Sequence, residues 1–533
     1  MHRGLLLVAA LFAALLAATS AAAKTGGTFV AELSTDVDYV DPGLDYLSSG
    51  WEIQYATGCK LLNYPDTNGA RSGQLVPEVA AGFPKVSQNG KTYTFTVRPG
   101  FKFADGTPVT AQSFADAFNR DANPKLQSPA QAFLTDVVGA NAVLNGQGSQ
   151  IAGIVVKGDT IAFHLTAPAP DLLSRVAMPF FQAIPKDIAQ NLDPNGANVV
   201  KSCGPYYVAD RVPNKSITIK RNPFYKGPRP HNVNMIVYHV GNTLEVIRQN
   251  VEGGQTDYAA QGLEPQAWKP LFDKYGINKG RVFVNPILGV QYIAMNTSQP
   301  LFKDNAKLRK AVNYAIDRRA LLAQSGYLAG RRNDQYLPPG LPGYKDVNVY
   351  PLKGPDLGTA KKLAAGNTRG GKAVLYTSNR GSAPLRAQII QFDLAQIGID
   401  VTVQQYSRAV QIEREGTKGS PFDLTDEAWQ ADYADPYDFV NVLLNGKFIQ
   451  DANNNNYAYL NDPKYNSMMD RAALLFGSKR YQAYANLDTA LTKDAVPWAS
   501  RANPTNRNFV SARTGCFTYN VVYGPDLSAI CLK

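Results

Sequence analysis

Asn89 to Thr110 reads NGKTYTFTVRPGFKFADGTPVT, a stretch whose turns, alternation and helix start follow one another almost without ambiguity. Asn89-Gly90 is a tight-turn dipeptide, after which Tyr93, Phe95 and Val97 alternate with Thr92, Thr94 and Thr96 in the period-2 pattern of a half-buried strand. Pro99-Gly100 closes that strand. Phe101 and Phe103 begin another short apolar run, Asp105-Gly106 turns it, and Thr110 is placed to cap a helix from Ala111 through Phe114 and Phe118. The stretch predicts a hairpin leading into a helix.

Outward from it, the chain has 533 residues, 44% of them hydrophobic and 10% aromatic, ample material for more than one core. The beginning differs in character. His2 and Arg3, an apolar run from Leu5 to Ala18 and the small-residue ending Ala21-Ala22-Ala23 describe a cleavable secretory signal at 1–23. The run is about 14 residues, short of the roughly 20 that a membrane span needs. No later segment reads as transmembrane. Cys59 is the first cysteine, far beyond the cleavage point, so the cysteine that a lipoprotein anchor requires there is missing. A periplasmic or extracellular protein is expected, with a Gram-negative-type periplasm preferred.

The formal net charge is +11, of which Arg3 contributes one, leaving +10 once the signal is removed. These charges are dispersed, and the pairs Arg318-Arg319 and Arg331-Arg332 make no long basic tract. Nucleic-acid binding would need basic groups gathered into one footprint, so no nucleic-acid partner is expected. Cys59, Cys203, Cys516 and Cys531 are an even set in an exported chain, which allows three disulfide pairings. Cys516 with Cys531 is the preferred close pair because it would pin the C-terminal tail, with about 3 kcal/mol expected from a loop of that size. That pairing leaves Cys59 with Cys203. No CxxC or paired-His spacing accompanies them, so no metal is expected.

Between Thr28 and about Pro286 short alternating strands mix with helices, including Ile217, Ile219 and the run Val233–Val240. A long helix over Leu308–Leu322 then opens a region of αβ character: strand at Val374–Thr377, apolar-faced helix at Ala387–Ile397, strand at Val401–Gln405. Four ordered segments resemble the extracellular solute-binding proteins, family 5, of bacterial ABC importers, which include dipeptide and oligopeptide receptors. They are Asn89–Thr110; Ser202–Gly227, SCGPYYVADRVPNKSITIKRNPFYKG; Tyr292–Leu322, YIAMNTSQPLFKDNAKLRKAVNYAIDRRALL; and Ala428–Asn445, AWQADYADPYDFVNVLLN.

That resemblance implies an α/β, two-lobed periplasmic binding protein of type II, a Venus-flytrap with an enlarged first lobe and a hinge. By it, residues 24–286 plus 504–533 form lobe I and 287–503 form lobe II, with crossings near Asn285 and Asn503. It implies a monomer that captures a short peptide and delivers it to an ABC permease and its ATPase, with no cofactor. The resemblance places Asp432 where a carboxylate receives the ligand's α-ammonium group in peptide-binding relatives. Trp429 is a candidate cleft wall, Asp435-Pro436 reads as a turn and helix start, and Tyr46, Ser49 and Trp51 lie in the segment that faces the cleft in relatives. One departure stands out: Asp426-Glu427 occupies the place where some peptide receptors carry a basic residue for the ligand's carboxylate. Arg408 and Arg414 are the candidate substitutes.

An oligosaccharide or another small solute in the same fold is the alternative, and a secreted hydrolase the remote one. Gly90-Lys91-Thr92 lacks the earlier Gly of a phosphate loop, since Lys85 stands there. His164, His231 and His239 are scattered, with neither HExxH nor GxSxG in the chain. No enzyme is expected.

Overall fold

The computed structural model describes residues 25–533; the signal peptide expected at 1–23 lies outside them. The hairpin forms as its sequence demands. Thr92–Thr96 pairs antiparallel with Lys85–Val86, Tyr93 and Phe95 are buried, and Gly90 takes the positive φ of +67° that the turn needs. Asp105 Oδ1 accepts from the Thr107 N–H at 2.9 Å, and the following helix runs Ala111–Asp121, with the Thr110 N–H donating to Ser113 Oγ at its start. Phe118 of that helix lies against Phe163 and stacks on Phe181, with ring centroids 4.8 and 4.1 Å apart.

Lys85–Val86 and Thr92–Thr96 belong to a four-stranded antiparallel sheet completed by Thr160–His164 and Ile154–Lys157. A five-stranded sheet follows the order Tyr258–Ala259, Thr28–Leu33, Met235–Val240, Ser216–Arg221, Tyr206–Val212. The third large sheet is mixed. Its path is Val282–Pro286, Trp498–Phe509, Gly289–Met295, Leu424–Gln430, Lys372–Ser378 and Asp400–Tyr406, with Gly330–Arg332 added on Trp498–Phe509.

The strand Trp498–Phe509 has a double attachment. Its second half pairs with Val282–Pro286 (Val282 opposite Phe509, Pro286 opposite Thr505) and its first half with Gly289–Met295 (Gln291 opposite Ala502, Ala294 opposite Trp498). The chain therefore passes between its two large parts twice, and the two passages run side by side as an antiparallel ribbon. Such a ribbon can bend while keeping its ladder. The division into 24–286 with 504–533 and 287–503 is proposed to fall at this ribbon.

The expected helix over Leu308–Leu322 is two helices, Ala306–Ala315 and Arg318–Ala323. In a continuous helix the Asn313 carbonyl would accept from the Asp317 N–H. Instead the buried Arg318 guanidinium takes that carbonyl (Nη1, 2.7 Å), and the Asp317 N–H donates to Asp393 Oδ2 at 2.8 Å. Asp317 Oδ1 then caps the new helix by accepting from the N–H groups of Arg319 and Ala320. The strands expected at Val374–Thr377 and Val401–Gln405 are Lys372–Ser378 and Asp400–Tyr406, paired in parallel, and the helix between them is Ala383–Ala395.

Two disulfides are present, Cys59–Cys203 and Cys516–Cys531, each with 5.3 Å between Cα atoms. The second holds the tail in a loop that places Val522 and Tyr523 between the two parts of the molecule. The Tyr523 ring packs on Trp51, Tyr55 and Tyr64, and its hydroxyl donates to the Ala177 carbonyl at 2.7 Å. Among the described residues, no helix is long and apolar enough to cross a membrane.

Candidate functional site

The strand Leu424–Gln430 leaves the mixed sheet through Ala431–Pro436 and enters the helix Tyr437–Leu444. Three acids lie along this connection, and two of them hold it. Asp435 Oδ1 accepts from the Tyr437 N–H at 2.9 Å, the turn and helix-start role read from its sequence. Asp435 also forms a two-point ion pair with Arg480 of Gly477–Ala490, at 2.7 and 3.2 Å. Asp438 Oδ2 accepts from both the Asp432 N–H (3.0 Å) and the Trp429 indole Nε1–H (3.1 Å), tying the helix back onto the strand. The third acid, Asp432, is left pointing across the interface.

The opposing wall comes from the loop before the helix Ser48–Thr57 and from that helix's first turn. Asp45 organises it: its Oδ2 accepts from Gln54 Nε2 at 3.1 Å, and its carbonyl accepts from the Trp51 indole at 2.8 Å. Gly50 is required for this close approach, since a Cβ there would lie 2.0 Å from Asp45 Oδ1. The Tyr46 hydroxyl then donates to Asp432 Oδ2 at 2.7 Å, bridging the two sides.

Around that bond is a small cavity of about 40 Å³, lined by Tyr46, Ser48, Trp51, Gln430, Ala431, Asp432, Val522 and Tyr523. Its size admits a group such as an ammonium or a water, so a larger ligand requires the two sides to separate. A wider groove of about 740 Å³ runs along Ala111–Asp121 and past Ile184–Gln190, on one side of the molecule only. Its arginine, Arg120, is already matched with Asp41 by bonds of 2.8 and 2.6 Å. The interlobe cavity, with a buried carboxylate facing it and no matched cation, is therefore the candidate site.

Asp432 is only 7% exposed, and among the described residues no lysine or arginine lies within ion-pairing distance of it. Burial pushes its carboxyl up to about 7, an effect that the Tyr46 hydrogen bond partly offsets. Tyr46, Tyr523 and Asp438 are its titratable neighbours. Because the folded-state value lies above the ordinary one, the folded protein holds this proton where the unfolded chain has lost it. The Asp432 contribution to stability without ligand should therefore decline as pH rises from about 4 to about 7, then level off. Urea unfolding across that range measures it, with Asp432→Asn expected to flatten the decline.

The structure brings Asp432, Tyr46 and Trp51 to one cavity and leaves the other sequence candidates outside its wall. Trp429 is half-buried behind Asp432, against the central core, with its indole committed to Asp438. Ser49 stands beside the wall, and Ser48 lines it. Arg408 forms a two-point pair with Glu427, one bond at 2.7 Å, and Arg414 sits over the Tyr406 ring at 4.8 Å. The acid pair that departs from peptide receptors is thereby neutralised, since Asp426 in turn meets Arg386 at 2.8 Å and Arg501 at 3.0 Å. Burial raises the Asp426 carboxyl, but these two guanidiniums outweigh it and hold the group below its usual range.

Sequence reasoning missed Gln430, Val522, Tyr523 and Asp438. The aromatic tail and the Cys516/Cys531 pair were the signal available for Tyr523, and nothing local pointed to Asp438. Contacts beyond the cavity complete the closure. The Tyr433 hydroxyl donates to Asp171 Oδ2 at 3.2 Å, and Phe476 packs over the hairpin turn, where a Cβ on Gly90 would lie 2.9 Å from its ring. Among the described residues no group of His, Cys, Asp and Glu could hold a metal ion.

Two lobes joined by a paired ribbon and closing over a buried carboxylate define a type II binding protein. The family described as bacterial extracellular solute-binding proteins, family 5 Middle, matches residues 74–451, and the chain belongs to it. It is 25% identical over 463 residues to the oligopeptide-binding protein OppA of Bacillus subtilis, covering 83% of this chain and 81% of that one. Its identity to the periplasmic oligopeptide-binding protein OppA of Salmonella typhimurium is 24%, over 92% of this chain and 91% of that one. The fold is similar to the solved clavulanic acid biosynthesis oligopeptide binding protein 2, with TM-score 0.86, 24% identity and 96% of both chains covered.

Proposed function

We propose that this protein is the binding component of an ABC importer: exported by its signal peptide, it captures a short peptide between its lobes and presents it to a membrane permease, without catalysis. Asp432 carries the reading. A buried carboxylate without a cation is costly, and an α-ammonium group supplies the missing charge together with hydrogen bonds. The Tyr46 hydroxyl occupies that acceptor in the closed state and is displaced or shared when ligand enters. Gln430, the aromatic rings of Trp51 and Tyr523 and nearby main-chain groups would then line the bound chain. The peptide names of the relatives support the same ligand class.

The test is calorimetry on refolded, ligand-free protein with free and N-acetylated tripeptides. Acetylation removes the ammonium and is expected to cost about a hundredfold in affinity, as is Asp432→Asn with the free peptide. Equal binding of free and acetylated peptides would overturn the role of Asp432, and binding of sugars but no peptide would overturn the ligand class. Affinity for a free peptide should also fall by up to about tenfold per pH unit below about 7, because the ammonium must then expel the Asp432 proton. Titrations at about pH 5 and pH 8 check the sign.

A further inference from the structure

Behind the cavity wall stands a second acid that, among the described residues, has no cation partner. Asp438 is fully buried, and while its Oδ2 accepts from Asp432 N–H and Trp429 Nε1–H, its Oδ1 has no hydrogen-bond partner. The neighbouring acids on the same segment are matched with arginines: Asp426 with Arg386 and Arg501, Glu427 with Arg408, Asp435 with Arg480. Among the described residues, Asp432 and Asp438 have none. These two carboxyl groups are linked by the hydrogen bond from the Asp432 N–H to Asp438 Oδ2, and both are buried. Burial and the Asp432 charge together raise the Asp438 carboxyl well above its usual range, a measure of how poorly the pair tolerates two negative charges without a cation.

One α-ammonium group neutralises only one of them. We propose that Asp438 is a specificity-determining residue: with Asp432 it gives this end of the site two carboxyl groups that ionise together only when two positive charges arrive, and so it selects ligands whose amino-terminal residue is itself basic, bringing an α-ammonium and a lysine or arginine side chain together. This rests on the peptide reading. Asp438 need not touch the ligand: in a buried setting a carboxylate just behind Asp432 still acts on a second positive group nearby.

The experiment is calorimetry on the refolded full mature chain with Ala-Ala-Ala, Lys-Ala-Ala, Arg-Ala-Ala and Ala-Ala-Lys. The first-position basic peptides should bind about tenfold or more tightly than Ala-Ala-Ala. Ala-Ala-Lys, with the same net charge in another place, should stay within about threefold of Ala-Ala-Ala if position rather than overall charge decides. In Asp438→Asn the ratio between Lys-Ala-Ala and Ala-Ala-Ala should fall towards one, a change that loss of a mere loop brace would not produce. If the wild-type protein binds all four peptides within about twofold, the pair holds a proton of its own and the inference fails while the peptide reading stands. If none of the four binds, both fail. The wild-type series decides even if the variant does not fold.

Discussion

Cys59→Ala combined with Cys203→Ala is expected to lower the unfolding free energy by about 5 kcal/mol, because the bridge closes a loop of 144 residues and removes that much chain entropy from the unfolded state. The Cys516–Cys531 bridge closes only 15 residues and should be worth about 3 kcal/mol. Urea unfolding of the two double variants gives the order directly. Function should show the reverse order. Cys59 and Cys203 are buried, and they tie the end of Ser48–Thr57 to the entrance of Tyr206–Val212. The tail bridge instead positions Val522 and Tyr523 at the cavity, so its loss should weaken ligand capture more than it weakens the fold. Equal stability losses, or a larger loss for the tail variant, would mean that loop entropy does not govern these bridges.

Arg480→Ala should be nearly as damaging, at about 3 to 5 kcal/mol, because it leaves Asp435 buried and unpaired. The arginine is 1% exposed and also donates to the Ala473 carbonyl at 2.7 Å, so the substitution orphans an acceptor as well as a charge. Asp435→Asn in the same chain should recover a large part of the loss, since the uncompensated charge is then gone. The double-mutant cycle measures the coupling. Because Asp435 starts the helix that carries Asp438 and braces the loop that carries Asp432, ligand affinity in Arg480→Ala should fall along with stability. A stable Arg480→Ala protein would show that Asp435 takes up a proton or a water in place of the arginine.

Much of the local architecture was legible in the sequence because short-range rules set it. Asn89-Gly90, the alternation after it and the Thr110 start required only turn chemistry and period-2 patterning, and the structure has them in place. The expected helix over Leu308–Leu322 failed for an instructive reason. Its apolar pattern is continuous, but the Asn313 carbonyl is claimed by Arg318, whose guanidinium also donates to Ser500 from far along the chain. Periodicity sees the face a residue presents, whereas this break depends on what the side chain reaches.

The candidate site divides the same way. Asp432, Trp51 and Tyr46 stood in recognisable segments, but the bond between Tyr46 and Asp432 joins residues 386 apart, and Arg480 reaches Asp435 across 45. The departure at Asp426-Glu427 looked like a change in ligand preference, and the fold shows it to be internally balanced by Arg386, Arg501 and Arg408. By itself the sequence determined the hairpin turn, several of the strands, the family and the candidate carboxylate at 432. Tertiary structure alone decided which charges are matched, that the tail supplies Tyr523 to the cavity, and that Asp432 and Asp438 have no cation among the described residues. The physical reason is that compensation of a buried charge is a matter of a few Å in space, and spacing along the chain does not encode it.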